Sequence, residues 1–143
     1  MKLSQRIKDY LIANEGSRKD KSDRHILYKC PADKWTIGYG RNLTAKGISG
    51  EEALCLLEND ILECTEDLVS LFPNFERFTN DRKIALIDVR FQHGKNGFRA
   101  YKRMIAAILR DDWNGAAFEL LDSEYARKYV RRANDNADLL RNG

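Results

Sequence analysis

The sequence predicts an α+β fold, a small antiparallel sheet near the N-terminus followed by a mainly helical body, and three observations predict it. Short runs of β-branched and aromatic residues lie between His25 and Tyr39, broken by Pro31 and Asp33. From Ser49 onward, apolar residues recur at helical spacing almost to the C-terminus. The chain has 143 residues, 43% of them apolar, enough for one sizeable core, and no repeat, linker or low-complexity stretch divides it. The expected organisation is a single domain over 1–143. Its sheet lobe covers about 17–48, and its helical lobe covers about 49–143 and takes in an N-terminal helix over 4–15.

The first helix has Ser4 as a candidate cap, Leu3, Ile7, Tyr10 and Leu11 on one stripe, and Gly16 placed to end it in the left-handed conformation. That puts Glu15 at its C-terminal edge. Ser17 to Arg24 is charged and reads as a solvated loop. Ser49-Gly50-Glu51-Glu52 has the form of a capping box, and Ala53, Leu56, Leu57, Ile61, Cys64, Leu68 and Leu71 follow until Pro73, marking the longest helix. Asn80 reads as the cap of a helix carrying Ile84, Leu86, Ile87 and Phe91 and closing at Gly94. Met104, Ile105, Ile108 and Leu109 mark the next helix. Trp113 to Leu121, Ser123 to Tyr129 and Arg131 to Leu140 read as three more.

A net charge of +3 and a pI near 8.8 suit an anionic polymer, nucleic acid or cell wall alike. The basic clusters Arg99, Lys102, Arg103 and Arg127, Lys128, Arg131, Arg132 read as solvated helix faces. Cys30, Cys55 and Cys64 form no C-x-x-C pair, and Cys55 and Cys64 lie on opposite faces of one helix, so no disulfide framework is expected. His25 and His93 stand apart from any cysteine at metal-ligand spacing, and neither a metal nor another cofactor is expected. The opening residues contain no apolar run that could act as a signal peptide or membrane span. Synthesis in a reducing cytoplasm, without stable membrane insertion, is the expectation.

Glycoside hydrolysis needs a proton donor beside the bond and a group on the sugar's other face that activates water or stabilises positive charge. Glu15-Gly16 closes the first helix. The segment from Tyr28 to Cys30, and then Thr36-Ile37-Gly38-Tyr39-Gly40, follows it. A Gly-x-Gly without a third glycine and a following helix is a weak nucleotide-binding signal, and a tight strand bend lining a cleft explains it better. Taken together, Glu-Gly at a helix end, Tyr-x-Cys, five residues and Thr-Ile-Gly-x-Gly resemble the active-site region of the phage-type lysozymes, glycoside hydrolase family 24. The resemblance continues through Gly47 to Ala53, Phe91-Gln92-x-Gly94-x-x-Gly97, Trp113-x-x-Ala116-Ala117 and the C-terminal stretch from Arg131 to Gly143.

The resemblance implies a lysozyme-like fold with its active site in a cleft between sheet and helices, and a monomer that cleaves peptidoglycan. It makes Glu15 the general acid, Cys30 the holder of an Asp/Cys position, and Thr36 the residue that helps place the water. Gln92, Phe91, Arg132 and Asp88 become substrate-binding positions, with Arg132 matching an arginine that pairs with the catalytic glutamate. It further implies an enzyme held in the host bacterial cytoplasm until a separate pore-forming protein gives it access to the wall. Three departures stand out: a longer charged segment between Glu15 and Cys30, Asp88 where asparagine is common, and Arg41 where histidine is frequent. Two other reactions on the same fold stay open, a lytic transglycosylase and an inactive wall-binding protein. Nucleic-acid binding through the basic C-terminal helices would leave Glu15 to Thr36 unexplained, so no nucleic-acid partner is expected.

Overall fold

A computed structural model describes residues 2–143. It confirms the α+β class, with eight helices, a 3₁₀ turn and a three-stranded antiparallel sheet among the described residues. The chain forms two compact units, Met1–Leu54 and Cys55–Gly143.

The first unit contains helix α1 (Leu3–Asn14), strands β1 (Tyr28–Lys29), β2 (Trp35–Ile37) and β3 (Arg41–Asn42), the short helix α2 (Leu43–Lys46) and the start of α3 (Gly50–Leu71). The strands are only two or three residues long, and β2 is central, with Thr36 opposite both Tyr28 and Asn42. Such a sheet is held largely by its turns. Gly38 and Gly40 both have positive φ between β2 and β3, where a side chain would be strained. Asn42 caps α2 by accepting from the Ala45 N–H, and Thr44 Oγ1 accepts from the Trp35 N–H at 2.9 Å.

Several local expectations need correction here. Lys2, not Ser4, precedes the first turn of α1, and it makes no side-chain cap bond. Gly16 does not end that helix in the left-handed region, because Glu15 already leaves it in an extended conformation (φ −82°, ψ 142°). The charged stretch after Ser17 is exposed but ordered into a tight hairpin. Lys19 bridges His25, Asp20 accepts from the Ser22 and Arg24 N–H groups, and Asp23 takes positive φ. Ser49 accepts from the Glu52 N–H as a capping box requires, yet the Glu52 carboxylate goes to Arg41 rather than back to Ser49.

The second unit comprises the rest of α3, a 3₁₀ turn (Phe75–Arg77), α4 (Asn80–Arg99), α5 (Lys102–Leu109), α6 (Trp113–Leu121), α7 (Glu124–Lys128) and α8 (Val130–Asn142). Its core is aromatic on one side, where Phe72, Phe75, Phe78, Phe98 and Trp113 meet edge to face. On the other side it is small-residue packing. Ala133, Asn136, Ala137 and Leu140 form one buried stripe of α8, and Ala116 and Ala117 of α6 are fully buried in the same core. Thr79, rather than Asn80, caps α4, and the first helical stretch closes at Gly94, as expected, where the backbone is non-helical (φ 71°, ψ 176°) before the helix resumes to Arg99. Asp112 caps α6 through the Gly115 N–H at 2.8 Å, and a β-carbon at Gly115 would lie 2.2 Å from the Asp112 carboxylate. Gly115 leaves room for the carboxylate in this position.

An ion network ties α3 to α4. Asp67, 8% exposed, takes Arg90 Nε at 2.7 Å and both terminal nitrogens of Arg99 at 2.6 and 2.7 Å. The Arg99 and Arg90 guanidinium bonds outweigh the cost of burial and hold the Asp67 carboxyl down to a pKa of about 2. No described helix is long and apolar enough to cross a membrane.

Candidate active site

Glu15 is the first residue beyond α1, and its N–H still donates to the Leu11 carbonyl at 2.7 Å. The turn to extended backbone at this point aims the side chain away from the helix and toward the sheet. A β-carbon built on Gly40 would lie 2.7 Å from Glu15 Oε2 and 3.1 Å from its Cδ, so the carboxylate rests against bare backbone in the β2–β3 turn. Gly40 thus has two reasons to lack a side chain, its φ of 81° and the carboxylate beside it. Tyr28 on β1 fastens the other side of this junction, its hydroxyl donating to the Gly16 carbonyl at 3.0 Å.

Cys30 and Thr36 lie in the same unit and are connected. Cys30 opens the loop between β1 and β2, where its N–H donates to Lys34 O at 3.0 Å, its carbonyl accepts from the Asp33 N–H, and Asp33 itself has positive φ. This folding turns backbone amides toward the sulfur. The backbone N–H groups of Lys34, the largest influence, and of Ala32 lower the Cys30 thiol from its ordinary value against an opposing effect of burial. Thr36 is 3% exposed, and its hydroxyl donates to Lys34 O at 3.0 Å. Arg41, at the start of β3, donates to Gly47 O at 3.2 Å and pairs with Glu52 at 3.1 Å, so it braces the first turn of α3.

The remaining predicted residues gather in the second unit. Asp88, Phe91 and Gln92 follow one another along α4, and Arg132 belongs to α8. Asp88 is their centre. It accepts from Gln92 Nε2 at 2.7 Å, from Arg132 through Nε at 3.0 Å and through Nη2, and from Asn136 Nδ2 at 2.7 Å. Burial raises its pKa, but the bonds from Arg132, Asn136 and Gln92 more than reverse that, leaving the carboxyl below its usual range. Arg132, expected as the partner of a catalytic glutamate, is thus held in a fork by Asp88. An apolar depression of about 390 Å³ runs beside this pair, walled by Leu57, Ile61, Ile84, Ile87 and Phe91.

A second depression, about 700 Å³, lies along His93, Tyr101, Met104 and Tyr125 and includes none of the residues expected to bind substrate or to catalyse. Among the described residues, no group of three or more His, Cys, Asp or Glu side chains could hold a metal ion. Sequence reasoning missed Tyr28 and Asn136 as parts of these clusters, and it read Gly40 as part of a bend without its contact to Glu15. Asn136 left a signal: it is the one amide on an otherwise apolar buried stripe of α8. Tyr28 and Gly40 left only the spacing of their motif.

A small three-stranded sheet preceded by a helix that ends in a carboxylate, with a helical bundle in the rest of the chain, is a lysozyme-like α+β fold. The phage lysozyme family model matches residues 19–135, and the chain belongs to that family. Cys30, Thr36, Asp88, Phe91, Gln92 and Arg132 fall inside the matched range, and Glu15 precedes it. Among relatives, the chain is 27% identical over 166 aligned positions to probable T4-type lysozyme 1 of Dictyostelium discoideum, covering 96% of this chain and 94% of that protein. It is 23% identical to probable T4-type lysozyme 2 of the same organism, covering 90% and 89%. It is 30% identical over 99 residues to the pre-baseplate central spike protein of Enterobacteria phage T4; that match takes in 66% of this chain and only 17% of the spike protein's length.

Proposed function

We propose that this chain is a peptidoglycan hydrolase that cleaves the β-1,4 bond between N-acetylmuramic acid and N-acetylglucosamine, with Glu15 as general acid. The observation that carries the proposal is the Glu15 carboxyl resting against the Gly40 turn, in the same small unit as the Cys30–Thr36 pair. Family membership and the two Dictyostelium relatives, each named as a probable lysozyme, support it.

In this reading Glu15 gives its proton to the glycosidic oxygen as the bond breaks, and positive charge develops at the sugar's anomeric carbon. The Thr36 hydroxyl hydrogen is directed to Lys34 O, so toward a water the hydroxyl acts as an acceptor. Cys30, with amide donors favouring its thiolate, supplies negative charge or a further acceptor where other members carry aspartate. Gln92, Phe91 and Arg132 contact the glycan, and Asp88 belongs to the same binding group through its bonds to Gln92 and Arg132. The substrate partner is bacterial peptidoglycan, the enzyme acts as a monomer, and a separate pore-forming protein lets it out of the cytoplasm of the host.

The direct test is a digest of purified peptidoglycan with identification of the new sugar ends by mass spectrometry. New reducing N-acetylmuramic acid ends are expected. Anhydro ends would make the enzyme a lytic transglycosylase, and binding to the wall with no new ends would leave a binding protein on the same fold.

A further inference from the structure

The cluster around Asp88 does more than line a surface, because the chemistry at its centre restricts every group that touches it. An ionised carboxylate has no hydrogen to give, so each of its partners must donate. Arg132 and Asn136 do so from α8, and Gln92 does so from one turn further along α4. The same Gln92 nitrogen also lies 3.2 Å from the backbone carbonyl of Asp88. Both hydrogens of the Gln92 amide are therefore directed back to residue 88. Its carbonyl oxygen, Oε1, is the group left to meet a ligand.

We propose that Asp88 is a positioning residue that fixes the polarity of Gln92, so that this position accepts a hydrogen bond from the substrate and cannot offer one. An amide at position 88 could donate as well as accept, and would let Gln92 sit either way round. A carboxylate removes that choice. Asn136, 4% exposed, and the Arg132 fork hold the carboxylate in turn, and they keep it charged despite its partial burial. The site thereby selects a ligand hydrogen-bond donor, such as a sugar O–H or the amide N–H of an acetamido sugar or a peptide. Naming peptidoglycan as its bearer rests on the proposed function, whereas the Asp88–Gln92 lock does not.

The lock is read in the free protein from the side-chain amide ¹H–¹⁵N signals of Gln92, assigned by their loss in Gln92→Ala. In the wild type these signals are expected away from the positions of solvated glutamine amides and slow to exchange, and Asp88→Asn should shift them. Kinetics on soluble peptidoglycan should show KM raised about tenfold in Asp88→Asn, the loss of one well-placed hydrogen bond, with kcat within about threefold of wild type. A KM penalty that survives removal of the stem peptides assigns the donor to the glycan, and one that vanishes assigns it to the peptide. Gln92 signals like those of solvated amides in the wild type, or a fall in kcat with unchanged KM in Asp88→Asn, would overturn the proposal. If the wild-type protein releases no glycan ends, the functional reading fails, and the Gln92 signals still decide the lock.

Discussion

The two units hold their chemical groups in opposite ways. In the first, Glu15, Cys30 and Thr36 are positioned by backbone: a helix that ends extended, two glycines at positive φ and a loop whose amides turn toward a sulfur. In the second, Asp88, Arg132 and Gln92 are positioned by one another, through side-chain bonds between two helices, as are Asp67, Arg90 and Arg99. Short strands lack the surface to pack a site into place, so turn geometry does the work. Long helices present side chains at fixed intervals, and charges can then be paired across them. The contrast implies that the first site breaks when backbone conformation changes, and the second when charge changes.

Substitution of the two turn glycines tests the backbone side of the contrast and affects both stability and activity. Gly38 and Gly40 both have positive φ, and alanine strains either by about 1–2 kcal/mol. Only at Gly40 would the new β-carbon meet Glu15, since nothing lies within 4 Å of one at Gly38. Melting temperatures of Gly38→Ala and Gly40→Ala should fall by similar amounts. Lytic activity should fall more than tenfold further in Gly40→Ala. Equal activities would mean that the contact with Gly40 does not position the carboxylate.

A charge effect of about 2 kcal/mol is expected in the second unit. The Asp67 carboxyl is held near a pKa of about 2, below its ordinary value near 4. A depressed carboxyl stabilises the folded state fully above its unfolded pKa, and the contribution is lost as pH falls from about 4 through 2. Asp67→Asn should therefore cost stability at neutral pH by urea titration, while its stability changes less than wild type's over that acid range. Parallel pH profiles for the two proteins would show that the network is not what acid disrupts.

The smallest effect on stability is expected at Cys30, where the difference is one of rate. Alkylation of Cys30 should persist to lower pH than that of an ordinary cysteine, because its neighbours favour the thiolate. Cys64 is buried, and burial, the main influence on it, raises its pKa, so it should react only on unfolding. Peptide mapping after brief labelling separates the two. In activity, Cys30→Asp should keep most of the rate and Cys30→Ala should lose it. Full activity in Cys30→Ala would reduce the thiol to a space-filling role.

The helical part of the fold was the more legible in the sequence. The bounds of α6 match the stretch read from Trp113 to Leu121, since each turn buries a residue and leaves a periodic trace. The ends of helices were less legible. Ser4, Gly16 and Asn80 have the right chemistry for caps, but Lys2, Glu15 and Thr79 hold those places, because the neighbouring chain decides where a helix can stop. Glu15 and Thr36 were readable as a motif, yet the Gly40 contact was not, for a glycine's closeness to a carboxylate leaves no pattern beyond its own absence of side chain. The Asp88 partnership was half legible. Spacing placed Asp88 and Gln92 one turn apart, while the Arg132 fork joins residues far apart in sequence.

The central claim is that Glu15 supplies the proton that breaks a glycan bond, and one substitution tests it most directly. Glu15→Gln keeps the shape of the side chain and removes its titrating proton. Purified peptidoglycan incubated with the wild-type protein should yield new reducing N-acetylmuramic acid ends. With Glu15→Gln the yield should fall by more than about a hundredfold, while the melting temperature stays nearly unchanged. A variant that keeps more than a few per cent of the wild-type rate would contradict the account and place the acid elsewhere.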